Sequence, residues 1–235
     1  SANEEAIENI LRMAELKAAG QLQKILVSGC MTQRYQDEVM DELPEVDGIL
    51  GTGSYTEIAA AIEGLLNDEQ VYDFGDINAP EIECGRILTT PEHYAYLKIA
   101  EGCDNKSAYC VIPSLRGCFR SRGLDDVLYE ARVLASQGVK ELIVVAQDTS
   151  RYGTDFPGGK RLLSTLLKEL CKIDGVHWVR VHYLYPDEID EELIDTIADQ
   201  PKIVKYLDIP IQHCNSQILT KMNRRGNGDY LRELI

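Results

Sequence analysis

Apolar residues at Ile7, Ile10, Leu11 and Ala14 recur at helical spacing in the first twenty positions, and Gly20 stands where such a helix would stop. Ser1 and Glu4 have the spacing of a capping box at its start. The continuous apolar run KILVSG (24–29) predicts a buried strand. A helix over Arg34 to Leu43 follows, closed by Pro44, and then a short strand over Asp47 to Leu50. Ser54 and Glu57 form a second capping box ahead of IAAAIEGLL (58–66). Alternation of this kind predicts part of a doubly wound α/β domain over residues 1–66. Its abrupt start on a helix predicts a strand and more upstream.

Residues 67–93 carry Gly, Pro, Asn and acidic side chains with little period, which predicts a linker with room for a hairpin. From 94 to 235 the alternation resumes with a longer repeat. Strands are expected at Tyr94–Ala100, Glu141–Ala146, Trp178–Tyr183 and Tyr206–Ile209. Each precedes a helical pattern, at Asp125–Gln137, Leu162–Lys172, Glu188–Ala198 and Ser216–Asn223. Four successive βα units predict an incomplete (β/α) barrel, because parallel strands need such crossovers. In barrels the chemistry sits at the C-terminal ends of the strands. Those ends carry Cys103 and Cys110, then Gln147 and Asp148, then Tyr183 and Tyr185, then Gln212 and His213.

Composition narrows the class. No run approaches the roughly 18 apolar residues of a membrane span, and the polar N-terminal helix is not a signal peptide, so a soluble cytoplasmic chain is expected. Seven cysteines, an odd number scattered among strand and helix patterns, point to a reducing compartment and to thiols that are buried or ligating. Lys and Arg number 24 against 39 Asp and Glu, a net charge of −15. That balance argues against nucleic acid as the main partner of these residues.

Taken alone, Cys103 and Cys110 are better read as ordinary buried thiols than as ligands. Their surroundings reverse this. KIAEGCDNKSAYCVIPSLRG (98–117) resembles the CxxxCxxC cluster loop of radical S-adenosylmethionine enzymes, and its continuation resembles the IPxxRG of the methylthiotransferases. VSGCMTQRY (27–35) and PEVDGILGTGSYTEI (44–58) are similar to that family's N-terminal domain. VVAQDTSRYGTD (144–155), RVHYLYPDEI (180–189) and YLDIPIQHCNSQILTKMNRRG (206–226) are most similar to its RimO-type branch, which modifies an aspartate of a small-subunit ribosomal protein.

The resemblance implies a partial radical-SAM barrel and an enzyme with two [4Fe–4S] clusters and S-adenosyl-L-methionine. It implies cluster ligation by Cys103 and Cys110, ligation of the second cluster by Cys30, and Tyr109 beside the adenine. Gln147, Asp148, Tyr185, Gln212 and His213 would line the cofactor and substrate rim. The implied partners are the ribosomal protein and an electron donor such as flavodoxin or ferredoxin.

Three departures stand out. Ser107 occupies the middle cysteine of the loop, and a hydroxyl is a far poorer iron ligand than a thiolate. Cys118 falls where the family has another residue, and no spacing rule makes it a replacement. The family's other two N-terminal cysteines, its later strands and its C-terminal domain are absent, so the chain is expected to be an internal fragment. The alternatives are a tRNA methylthiotransferase and a cluster-deficient chain that only binds its partner. Zinc is poorly served by two thiolates without a His-x-His pattern.

Among the remaining candidates, Cys84, Cys171 and Cys214 lack partners at useful spacing and are read as structural. His177 and His182 are read as packing or surface residues, and His93 carries no signal. The arginines of the run Arg116, Arg120 and Arg122 are expected to be solvated or to meet a carboxylate of cofactor or substrate. The positive charge of MNRRG (222–226) suits a helix C-terminus without further function.

Overall fold

The computed structural model describes residues 2–80, 83 and 85–235. The Ser1 half of the first capping box and Cys84 lie outside the described residues. The chain divides into two compact units, Ser1–Ile82 with Ser114–Arg116, and Glu83–Pro113 with Gly117–Ile235.

The first unit runs α1 (Ala2–Ala18), β1 (Leu26–Ser28), α2 (Cys30–Tyr35), α3 (Asp37–Glu42), β2 (Gly48–Gly53), α4 (Ile58–Leu66) and β3 (Val71–Gly75). Its three strands pair in parallel in the order β1-β2-β3. Ile10, Ile25, Val39, Val46 and Ile49 form its core, with Met13 and Ala14 packed against it; of the apolar stripe read along α1, Ile10 is buried whereas Ile7 and Leu11 are exposed. The helix expected over Arg34 to Leu43 is two helices that meet at Gln36, whose φ is 42°. The Thr32 hydroxyl donates to Gly29 O and Leu50 O, and Gln33 Oε1 accepts from Thr52 N. These bonds tie the first helix to β2 and force the turn. Ahead of α4, a 3-10 turn over Tyr55–Glu57 intervenes and Ser54 makes no capping bond through its side chain. Val71–Gly75, inside the segment expected to be a linker, is the third strand rather than part of a hairpin. It is mostly exposed, which explains its weak apolar signal.

The second unit runs β4 (Tyr94–Lys98), β5 (Ala100–Glu101), α5 (Ile112–Arg116, whose last three residues belong to the first unit), β6 (Arg120–Ser121), α6 (Leu124–Ser136), β7 (Glu141–Val145), α7 (Leu163–Cys171), β8 (Trp178–Val181), α8 (Glu191–Asp199), α9 (Ser216–Lys221) and α10 (Gly228–Leu234). Strands β4, β7 and β8 form a parallel sheet in that order. Strand period two splits its residues cleanly. Ala95, Leu97, Leu142, Val144, Val179 and Val181 are buried in a core that includes Val127, Ala131, Leu134 of α6 and Leu163, Leu166, Leu167, Leu170 of α7. Tyr96, Ile143 and Arg180 fall on the other face and are at least partly exposed.

The strand expected at Tyr206–Ile209 does not form. Val179 exchanges bonds with Lys202 O and Val204 N, Leu184 N donates to Asp208 O, and Tyr183 N donates to the Asp208 carboxylate. Two short patches replace a ladder because Tyr183 leaves β8 with φ 59°, and Pro210 has no N–H to offer. Helix α8 starts at Glu191 rather than Glu188. Asp190 Oδ1 caps it by accepting from Leu193 N at 2.9 Å, while Pro186–Glu188 forms a separate 3-10 turn.

Arg122 is buried. It donates to Glu83, to Glu130 and to Lys98 O, so the last arginine of the basic run is structural and not a solvated or ligand-binding charge. Arg122→Ala strands these acceptors and is expected to destabilise the protein by about 3 kcal/mol, as a lowered urea midpoint at unchanged slope.

Candidate functional site

Strand β4 ends at Lys98, and the chain then makes a closed excursion. The two-residue strands β5 and β6 pair antiparallel, Ala100 with Ser121 and Glu101 with Arg120. Within this neck Cys103 N donates to Gly117 O at 3.1 Å. Gly102 has φ 77°, and a Cβ there would lie 2.0 Å from Cys118 O. Only glycine permits both the left-handed backbone and the close approach. Gly102→Ala is expected to cost about 2–3 kcal/mol and to open the loop. Chemical denaturation, with thiol accessibility at Cys103 as a second reading, checks this.

Inside the excursion, Cys103 is buried and Cys110 exposed. Burial pushes the Cys103 thiol above its ordinary range, and the charges of Asp148 and Cys110 add to the effect against hydrogen bonds from Asn105. A raised pKa keeps Cys103 protonated at neutral pH unless a metal takes the proton's place.

Asp148, with no exposed surface, holds the loop from behind. Its Oδ2 accepts from Asn105 Nδ2 at 2.7 Å and its Oδ1 accepts from the Ser150 hydroxyl at 2.5 Å. Burial raises the Asp148 pKa, with Ser150 and Asn105 opposing. Ser150 Oγ also accepts from Tyr185 N at 3.1 Å. Beside this network Gln147 Nε2 donates to Glu101 Oε1 at 2.7 Å, and Lys98 Nζ lies 3.0 Å from Glu101 Oε2.

Ser107 is buried within the loop. The loop is also tied to the segment after α9. Ala108 N donates to Met222 O at 3.0 Å, Asn223 Nδ2 to Lys106 O at 2.6 Å, and Arg224 Nη2 to Tyr109 Oη at 2.9 Å. The Arg224 guanidinium lies 4.5 Å from the centre of the Tyr185 ring.

The structure thus gathers Cys103, Cys110, Asp148, Tyr109 and Tyr185 around one loop, with Gln147 adjoining through Glu101. Gln212 and His213 lie in an exposed stretch. Gln212 has φ 62°, and His213 Nδ1 accepts from Asn215 N at 2.9 Å. In the first unit Cys30 opens α2 after Gly29, whose φ is 129°. Arg116 Nε and Nη2 both lie 3.2 Å from Cys30 Sγ. Sequence reasoning missed Glu101, Asn105, Ser150 and Arg224. The first three sit within two residues of a predicted site residue, a usable signal. Arg224 was read as a helix-end charge.

A parallel βα sheet with a two-cysteine loop at the end of its first strand defines the class. Residues 97–235 match the Radical SAM superfamily, and the chain belongs to it. Residues 1–51 match the Uncharacterized protein family UPF0004. The chain is 47% identical over 235 residues to a ribosomal protein uS12 methylthiotransferase RimO from Lachnoclostridium phytofermentans. It is 49% identical over 226 residues, 96% of its length, to the protein of that name from Clostridioides difficile. It spans 53% and 51% of these relatives, about half their length. Among solved structures, the radical S-adenosylmethionine methyltransferase TsrM from Kitasatospora setae aligns over 98% of this chain and 49% of its own, with a TM-score of 0.69 at 13% identity. The cobalamin-dependent S-adenosylmethionine radical enzyme OxsB aligns over 98% and 37%, with a TM-score of 0.66 at 13% identity. These two share the fold.

The superfamily implies a [4Fe–4S] cluster and S-adenosylmethionine. Among the described residues no group of three or more His, Cys, Asp or Glu side chains is placed to hold a metal ion. The loop offers two thiols and a hydroxyl, so the donor set as it stands does not fit a three-thiolate cluster. No helix among the described residues is long and apolar enough to cross a membrane.

Proposed function

We propose that the chain is the cofactor-loop half of a methylthiotransferase that places a methylthio group on the β-carbon of an aspartate in a small-subunit ribosomal protein. Activity is conditional on a third thiolate at position 107. The observation that carries this reading is 47% identity to a uS12 methylthiotransferase along all 235 residues. In it Cys103 and Cys110 are metal ligands, Asp148 and Asn105 hold the loop that presents them, and Tyr109 and Tyr185 form an aromatic wall for the cofactor. Gln147 orients Glu101, while Gln212 and His213 belong to the rim. Cys30 is one ligand of a second cluster, which needs thiolates from elsewhere. A cytoplasmic protein with an electron donor of the flavodoxin or ferredoxin kind completes the reading.

Exchange of the chain for the matching half of the Lachnoclostridium phytofermentans relative tests it. With Ser107→Cys the chimaera is expected to modify uS12, read as a mass gain of one methylthio group for one hydrogen. An inactive chimaera that carries its full iron complement contradicts it.

Ser107, which leaves the loop one thiolate short, favours a second reading, a chain that binds its partner without a cluster. Wild-type protein that reconstitutes without iron yet binds uS12 supports that reading.

A further inference from the structure

Helix α4 is apolar on more than one side. Its residues, IAAAIEGLL, carry a single charge, Glu63, yet only Ala61 and Leu65 are buried. Leu65 closes on Gly48 of β2, where a Cβ would lie 3.1 Å from its Cδ2. A surface helix ordinarily turns polar groups outward once one apolar side meets the core. Here Ile58, Ile62 and Leu66, spaced four apart, are 46%, 46% and 54% exposed, and Tyr55 of the preceding turn extends the row at 44%. Residues at this spacing share one helix face. Scattered exposed apolar residues need no explanation, but a continuous row marks a surface that another molecule covers.

The charge around the row has one sign. From Tyr35 to Gly85 the chain has no lysine or arginine, and most of its net charge of −15 arises there. Glu57, Glu63 and Glu69 are exposed on and beside α4. Among the described residues, the cations at the two ends of the row are engaged. Lys24 pairs with Asp68 at 2.7 Å, and Arg116, 6.0 Å from the centre of the Tyr55 ring, lies 3.2 Å from Cys30 Sγ. A second copy of α4 would set like charges against one another, and an anionic lipid surface is repelled in the same way. Opposite charge is the complement. From this face we propose that α4 is the docking site for a protein partner that presents a basic amphipathic helix. The partner's apolar residues lie along Tyr55, Ile58, Ile62 and Leu66, and its lysines or arginines meet the surrounding carboxylates. None of these four residues has a role in holding cofactor or substrate, so the proposal stands with or without a cluster.

Fluorescence anisotropy with the whole chain and a labelled amphipathic peptide of leucine and lysine tests it. Wild type is expected to bind this peptide at least tenfold more tightly than a scrambled peptide of the same composition, and more tightly than a version with glutamate for lysine. The double variant Ile58→Ser with Ile62→Ser is expected to weaken binding tenfold or more, and Glu63→Lys at least threefold. Ile194→Ser, on α8 at a position as exposed as Tyr55, is expected to change it less than twofold. Absence of binding, equal affinity for the scrambled peptide, or binding that ignores the Ile58 and Ile62 substitutions overturns the proposal. The other occupants have their own signatures. A dimer in sedimentation that the double variant dissociates assigns the row to a second copy, and binding to phosphatidylglycerol vesicles that it abolishes assigns the row to a membrane. Peptide binding that disappears in the chimaera with the Lachnoclostridium phytofermentans relative assigns it to a segment of the longer protein. Each of these three results also overturns the proposal.

Discussion

Ser107→Cys is expected to turn a chain that holds little iron into one that takes up about four irons and four sulfides at this loop on anaerobic reconstitution. Cys103 is buried with its pKa raised, so it gives up its proton readily only to a metal, and two thiolates hold a cube too weakly to repay that. Position 107 lies inside the same excursion, with Cys110 N donating to Ser107 O at 3.0 Å, so a thiol there joins the two already present. The comparison is made in a Cys30→Ala background so that iron at the first unit does not count. Iron and acid-labile sulfide assays check the outcome, and equal iron in the serine and cysteine forms contradicts it. If Cys118 were a substitute ligand, Cys118→Ala would lower iron in the serine form. No such loss is expected.

Asp148→Ala is expected to have the largest effect on stability at the site, about 3 kcal/mol, because it strands the buried donors of Asn105 and Ser150 and leaves a void. The loop carrying Cys103 loses its brace in the same step. Faster alkylation of Cys103, with a lowered urea midpoint, is the measurement. The charge state adds a pH dependence of definite sign. Burial raises the folded-state pKa of Asp148, so its contribution is fully present below the unfolded value of about 3.9 and declines as pH rises through the folded value. The advantage of wild type over Asp148→Asn is therefore expected to be widest below about pH 4 and to shrink as pH rises toward neutral. An advantage that widens toward neutral pH contradicts the assignment.

Where one face of an element is buried, the sequence was readable. The period-two runs at Tyr94, Glu141 and Trp178 became β4, β7 and β8 because their alternate residues enter one core under α6 and α7. Where tertiary bonds set the backbone, periodicity misled. The Thr32 and Gln33 bonds to β2 split a helix, the Asp208 contacts with Tyr183 and Leu184 replaced a strand, and exposure hid β3. The site divides in the same way. Cys103, Cys110 and Asp148 follow from strand-end positions and from the resemblance. Sequence cannot show that Asp148 sits wholly behind the loop rather than on its rim, or that Arg224 crosses 115 positions to reach Tyr109.

The central claim is that the excursion between β5 and β6 is a cluster loop with one thiolate exchanged for a hydroxyl. An anaerobic crystal structure of the reconstituted Ser107→Cys chain, with iron located by its anomalous scattering, tests it most directly. The account predicts iron bound by the sulfurs at 103, 107 and 110 with Asp148 still bonded to Asn105. Iron elsewhere, or a loop whose sulfurs turn away from one another, contradicts it.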